Sequence, residues 1–220
     1  MHLNAAEQSS EWIAGGGDMG ALVRSLDWSK TALGPLHGWP QSLRTIVSTC
    51  LSSRFPILVW WGPELVMIYK DALARIIGNK HPRGMGQPGA EGWWEVWHIL
   101  GPMLRSVLSE GASTWSENQR LDIERTLNSG YLEETYFTFS YSPIRDESGG
   151  VGGVFCAVTE TTAQVLSERR LRTLSVLSQQ TAEVTSEGGA GRCARAACHG
   201  PGGASTSEPG AVGCTDPARR

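Results

Sequence analysis

Three sets of residues in this 220-residue chain have types and spacings that could do chemistry. Gly84, Gly86 and Gly89 stand at the spacing of a dinucleotide-binding turn. In such a turn backbone N–H groups cradle a pyrophosphate between a strand and a helix N-terminus. Here the glycines follow His81-Pro82 and enclose Pro88, so the stretch reads as a loop and not as a nucleotide site. Cys193, Cys198, His199 and Cys214 are metal-ligand types. Structural zinc sites pair their ligands a few residues apart in a folded knuckle, and this irregular spacing does not, so no metal is expected. The five cysteines are scattered and odd in number, which fits free thiols better than a disulfide framework. No nucleophile, base and oxyanion donors can be assembled, so no catalytic residue is assigned and an independent enzyme is not expected. The third set is aromatic. Trp60, Trp61, Trp93, Trp94, Trp97 and Trp115 fall in or beside core-forming segments. They stabilise a core by area, or they line a pocket for a planar or hydrophobic ligand.

These residues must be carried by an ordered part of the chain, and composition delimits it. Apolar residues make up 40%, charged residues 19%, and the net charge is −3, which excludes a wholly disordered or strongly basic protein. The longest apolar run, Ile57 to Trp61, is far short of the ~20 residues of a membrane-spanning helix. The opening MHLNAAEQSSEWIAGGG has no basic region followed by an apolar one, so a cytoplasmic location is expected. From residue 188 to 220 the chain turns to Gly, Ala, Arg, Pro and Cys, with Val212 its only large aliphatic residue. Such a segment cannot bury enough area to offset its backbone entropy and is expected to be disordered. It reads either as a genuine flexible tail or as frame-shifted text of a GC-rich gene.

Within the ordered part, Met19 to Leu26 suits a brief helix. Pro40 precedes QSLRTIVSTCLSS, in which Leu43, Ile46, Val47, Cys50 and Leu51 form one helical face. Phe55–Trp61 and Leu65–Tyr69 flank Gly62-Pro63-Glu64 as a hairpin. DALARII reads as a short helix stopped by Gly78, and 78–92 as loop. Trp93 to Leu108 has a helical pattern interrupted at Gly101-Pro102, which predicts a kink or two short helices. Thr114–Leu127 suits a strand pair or one long bent strand. Tyr131–Ser142 alternates, with Tyr131, Thr135, Phe137, Phe139 and Tyr141 on one side, and Val151–Thr159 is its partner. The sum is an α+β domain: an antiparallel sheet with helices on one face. A helix from Thr161 to Val184 follows, with Leu174, Leu177, Thr181 and Val184 at the spacing of a short dimeric seam.

The order of elements, and several blocks of residues, resemble a bacterial PAS sensor domain. The blocks are Ser53-Arg54-Phe55-Pro56, Trp61-Gly62-Pro63-Glu64, Tyr69-Lys70-Asp71-Ala72, the run from Glu133 to Ile144, and Gly152-Gly153-Val154-Phe155 through Val158-Thr159-Glu160-Thr161-Thr162. Gly34-Pro35 and Trp39-Pro40-Gln41-Ser42-Leu43-Arg44 are similar to the lead-in of one subgroup, multidomain sensor histidine kinases in which a GAF domain and the kinase core follow. The resemblance covers roughly residues 15–185. It implies a five-stranded PAS fold over 38–160, a lead-in over 1–37, an exit helix over 161–187 and a tail over 188–220. Two positions depart from the family pattern. Lys70 stands where Asn is usual, and Ala157 takes the place of the Asp in the Asp-Ile/Val-Thr exit motif, so the coupling that this Asp supports is not carried over.

The resemblance implies a cytoplasmic sensory and dimerisation module of a two-component phosphorelay, or alternatively a stand-alone PAS interaction protein without kinase. The predicted strands and helices nominate Ile57, Val59, Met67, Tyr69, Trp97, Leu100 and Phe139 as pocket-lining residues. Thr159, Leu171, Leu174 and Leu177 are nominated as signalling residues. None of His2, His37, His81, His98 and His199 has the context of a phospho-acceptor, and no ATP-binding core remains to be built. His98 is the one position suited to a haem ligand on the central helix, but it lies beside the apolar face. Cys50 and Cys156 lack the Asn-Cys-Arg context of a photochemical flavin site. Neither cofactor is therefore expected, and the cofactor is left unassigned. A homodimer through the exit helix, downstream GAF and kinase domains in the parent, and a small-molecule ligand are the expected partners, with no nucleic acid and no membrane. A chain that leaves ordered sequence soon after RRLRTLSVLSQQTAEV favours truncation or frameshift before a GAF domain over a native tail.

Overall fold

The computed structural model describes residues 12–126 and 130–196. Contacts divide the chain after Glu168. The first part holds a five-stranded antiparallel sheet of order β2-β1-β5-β4-β3 and five helices, so the α+β class and the strand number expected above are both present. The strands are β1 (Ile57–Trp61), β2 (Val66–Tyr69), β3 (Thr114–Ile123), β4 (Glu133–Arg145) and β5 (Val151–Glu160). The helices are α1 (Gly17–Ser25), α2 (Gln41–Ser52), α3 (Asp71–Ile77), the single turn α4 (Gly89–Gly92) and α5 (Trp97–Glu110). Helix α6 (Thr162–Ala196) leaves the sheet and continues past the composition break at 188; residues 197–220 lie outside the described residues. Among the described residues, no helix is long and apolar enough to cross a membrane.

Every residue of β1 and β2 is buried, which an alternating strand achieves only when both sheet faces are covered. Leu58 and Trp60 face α3 and α5. Ile57, Val59 and Trp61 point the other way, where α2 packs against β1 and β2 with Leu43, Val47, Cys50 and Leu51 buried. The expectation of helices on one face therefore needs correction. Helix α2 forms a second layer over the β1–β2 half of the sheet, where it buries its apolar stripe.

That layer has its own aromatic core. Trp28 packs edge-on against Trp39 at 4.8 Å, and their indole N–H groups donate to Val23 and Gly34 carbonyls at 2.7 and 3.1 Å. Two carboxylates from other elements, Asp71 of α3 and Glu147 of the β4–β5 turn, hold it. Asp71 Oδ1 accepts the Met19 amide at 2.9 Å, while Lys70 Nζ donates to the Gly16 carbonyl at 3.0 Å and pairs with Asp71 at 2.5 Å. Glu147, in the β4–β5 turn, accepts both the amide and the hydroxyl of Ser42 at the start of α2. Lys70 thus ties the start of the chain to the sheet.

Helix α5 differs from expectation, and β3 takes one of its two expected forms. Helix α5 begins at Trp97 and runs through Pro102 as one helix. Trp93 to Val96 form a turn closed by a Val96 N–H bond to the Trp93 carbonyl. Strand β3 is one bent strand, with a register shift between Ser116 and Gln119 and Asn118 at φ 49°. The Asn118 N–H escapes the ladder and donates to Thr138 Oγ1 instead. Tyr131 is exposed and lies before β4, so it does not share the buried face of Thr135, Phe137, Phe139 and Tyr141.

Candidate functional site

The inner sheet face and the helices over it enclose a small cavity. Strand alternation sends Leu58 and Trp60 from β1, Phe137, Phe139 and Tyr141 from β4, Cys156 and Val158 from β5, and Leu121 from β3 to the same side. Leu73 and Ile76 of α3, Leu100 of α5 and Trp93 close it from above. Its volume is about 30 Å³. A smaller lobe of about 10 Å³ shares Leu58, Leu73 and Trp93 and extends past Met67 and Tyr69 to Lys80 and Gly84.

Of the expected lining residues, Leu100 and Phe139 line the cavity, and Met67 and Tyr69 line the smaller lobe. Ile57 and Val59 do not. The β1–β2 register pairs Leu58 with Tyr69 and Trp60 with Met67, so those four share a face and the odd-numbered β1 residues turn towards α2. A hairpin register that kept Met67 and Tyr69 inward could never have kept Ile57 and Val59 there. Trp97 is half-buried; it packs 6.1 Å from Trp60 across Gly89, where a Cβ would lie 2.6 Å from the Trp60 ring and 2.7 Å from that of Trp97. Trp97 thus supports Trp60 from behind. Trp94 and Trp115 are exposed, contrary to the core placement expected of them.

The polar end of the smaller lobe was not read from the sequence. Lys80 Nζ is ion-paired with Glu95 Oε1 and lies 5.0 Å from the centre of the Trp93 ring. Glu95 Oε1 also accepts the Glu124 amide at 3.0 Å. Burial pulls the Lys80 pKa down, opposed by its bond to Glu95. Tyr69 Oη and His81 Nδ1 are 3.1 Å apart at the same end, and burial raises the Tyr69 pKa, which keeps its phenol neutral. The lone hint in the sequence is that Lys80 and His81 lie together in a Gly- and Pro-rich loop, 78–92.

Strand β5 links the cavity to the exit helix. Cys156 and Val158 line the cavity, and Glu160 stands at the root of α6. Arg125 donates to Glu160 Oε1 at 2.6 Å, and the Thr162 hydroxyl donates to the same oxygen at 2.8 Å. Thr162 Oγ1 accepts the Tyr136 amide at 3.0 Å, and the Thr161 amide returns to the Tyr136 carbonyl at 2.8 Å. Arg125 is also fixed through its own carbonyl, which accepts the Asn79 amide at 2.9 Å. Gly78 beside it has φ +60°, and a Cβ there would lie 2.6 Å from the Arg125 carbonyl oxygen. Thr159, the expected signalling residue, faces outward opposite Thr138 and is exposed. The acid-x-Thr pattern at the helix root is Glu160-Thr161-Thr162, three residues beyond Ala157-Val158-Thr159.

Leu171, Leu174 and Leu177 are 66, 60 and 52% exposed. Thr181 Oγ1 bonds back to the Leu177 carbonyl at 2.8 Å. The side chain of Val184, the last seam position, is outside the described residues.

Several chemistries find no support in this geometry. The amides of Gly84, Gly86 and Gly89 are bonded to the Lys80, Met67 and Leu65 carbonyls, so this loop offers no free N–H cradle for a phosphate. Burial pushes the Cys50 thiol up to about 12 and the Cys156 thiol higher still, which makes both poor nucleophiles. His98 is exposed and is not among the cavity residues. Among the described residues, no three His, Cys, Asp or Glu side chains gather as a metal site. Of the tail ligands, Cys198, His199 and Cys214 and the side chain of Cys193 lie outside the described residues.

No protein-family model matches the chain, and no curated protein matches it. Solved structures do. An RNA-binding Light-Oxygen-Voltage receptor matches at 18% identity and TM-score 0.43, over 69% of this chain and 42% of the receptor. A sensory box sensor histidine kinase from Vibrio cholerae matches at 18% identity and TM-score 0.36, over 54% of this chain and 88% of that one. The PAS domain of BvgS from Bordetella pertussis matches at 15% and TM-score 0.35, over 55% of this chain and 86% of the domain. The chain spans less than half the length of the first of these.

Proposed function

We propose that the chain is a PAS-type sensory and dimerisation module, the input part of a sensor histidine kinase, and that it has no catalytic role of its own. The observation that carries the reading is the double use of β5. The strand walls the cavity with Cys156 and Val158, and two residues later it anchors the exit helix through Glu160. A change of packing in the cavity moves the strand on which the helix root is pinned. The proposed mechanism is a population shift between two packings, in which the signal is no larger than the ligand's preference for one of them. The exposed Leu171, Leu174 and Leu177 supply a seam for a second copy of the helix.

The test uses the full chain in light scattering and hydrogen exchange. Leu174→Pro is expected to remove a dimer, and Arg125→Ala to speed exchange at the Thr161 and Val165 amides while leaving the dimer in place. An unchanged dimer in Leu174→Pro refutes the seam, and unchanged exchange in Arg125→Ala refutes the anchor. The kinase assignment is tested on the gene: a GAF-like and then kinase-like frame opening beyond codon 187 supports it. Closed frames favour the stand-alone interaction protein.

A further inference from the structure

We infer that the cavity beneath the sheet takes a neutral, largely apolar molecule carrying one hydrogen-bond acceptor, such as a ketone or a ring nitrogen, and admits it only in a wider packing than the one observed. The inference rests on the sensory reading above and names the class of its ligand.

The argument begins with an unused donor. Trp60 is 1% exposed and lines the cavity, and its buried indole N–H has no hydrogen-bond partner among the described residues. An indole N–H can only donate, and one left bare in a core is costly. The contrast within this chain is direct: the two deeply buried tryptophans of the lead-in, Trp28 and Trp39, both place their N–H groups on carbonyls. Trp60 lies instead among side chains that have no strong acceptor to give. The lining holds no carboxylate, amide side chain, lysine, arginine or histidine. Its remaining polar groups are the Trp93 indole N–H, which also can only donate, and the Tyr141 hydroxyl and Cys156 thiol; burial raises the pKa of the last two, so both stay neutral. A charged ligand would find no counter-charge there. A ligand with an acceptor would satisfy the Trp60 N–H.

Size supplies the second half. About 30 Å³ is room for little more than a water molecule. A ring-sized molecule needs the helix walls, Leu73 and Ile76 of α3 or Leu100 of α5, to move away from the sheet. Its apparent affinity is then lowered by the fraction of time the wider state exists. The same coupling makes occupancy a signal, because the displaced walls bear on β5.

Acetophenone and cumene are similar in shape and differ in the acceptor. Binding of each to the full chain is read by tryptophan fluorescence, in wild type and in Leu100→Ala, which widens the cavity. Acetophenone is expected to bind Leu100→Ala at least about tenfold better than wild type. It is also expected to exceed cumene, after correction for their octanol partition, by about three- to tenfold, the worth of one hydrogen bond. Trp60→Phe in the widened background should erase that preference. Equal corrected binding of the two probes, unaffected by Trp60→Phe, overturns the ligand class while leaving the cavity a binding site. Failure of both probes to bind wild type and Leu100→Ala overturns the sensory reading of the cavity as well. Should Leu100→Ala not fold, Leu73→Ala widens the same space from the other helix.

Discussion

Lys80→Met tests how the polar end of the smaller lobe holds the domain together. Lys80 is 9% exposed and the Glu95 side chain 1%, so this is a pair removed from water. Methionine keeps the length and bulk of the lysine stem but leaves the Glu95 carboxylate with the Glu124 amide as its remaining partner. Glu95 Oε2 already has none among the described residues. Breaking a buried pair from one side costs about 3–5 kcal/mol, most of it the stranded charge. In a domain of this size each kcal/mol lowers Tm by about 2–4 °C, so the variant should melt on the order of 10 °C early. The reasoning makes a second demand. Lys80→Met/Glu95→Gln removes the stranded charge while keeping an oxygen for the Glu124 amide, so it should recover most of the loss. The assay is urea and thermal unfolding by fluorescence, with the two single variants closing a double-mutant cycle. A single variant that loses under about 1 kcal/mol, or a double variant no better than Lys80→Met, would refute the stranded-charge account.

The docked lead-in should respond to acid. Burial alone would raise the Asp71 pKa, but its bonds to Lys70 and Met19 outweigh it and the net shift is downward, so its contribution is present above the ordinary carboxylate range and lost as pH falls through the lowered value. Limited proteolysis near Gly15 to Gly17 should therefore accelerate as pH falls below about 4, and Asp71→Asn should show the loose lead-in already at neutral pH. Cys50 and Cys156, buried and with raised pKa values, should resist a thiol reagent until the domain unfolds; rapid labelling of the native chain would contradict their placement.

Much of this architecture was legible because local patterns were strong. The stripe Leu43, Val47, Cys50 and Leu51, the stop at Gly78 and the alternation from Thr135 to Tyr141 each fix an element from its own residues. What could not be read is set between elements. Strand β1 is apolar at every position, so its alternation carries no sign of which face turns inward. Only the pairing of Leu58 with Tyr69 and Trp60 with Met67 decides it, and it rejects Ile57 and Val59. The Lys80–Glu95 pair joins residues fifteen apart across a loop, and Arg125–Glu160 joins residues thirty-five apart; no periodicity announces either. The exit motif shows the limit of matching by position. Ala157 occupies the expected place and faces outward, while Glu160, with one more methylene than Asp and three residues later on the opposite face, reaches Arg125 and Thr162. The root of α6 is held by an acid that meets a cation and a hydroxyl at the end of β5, so Glu160→Ala should speed hydrogen exchange at the Thr161 amide where Ala157→Ser should not.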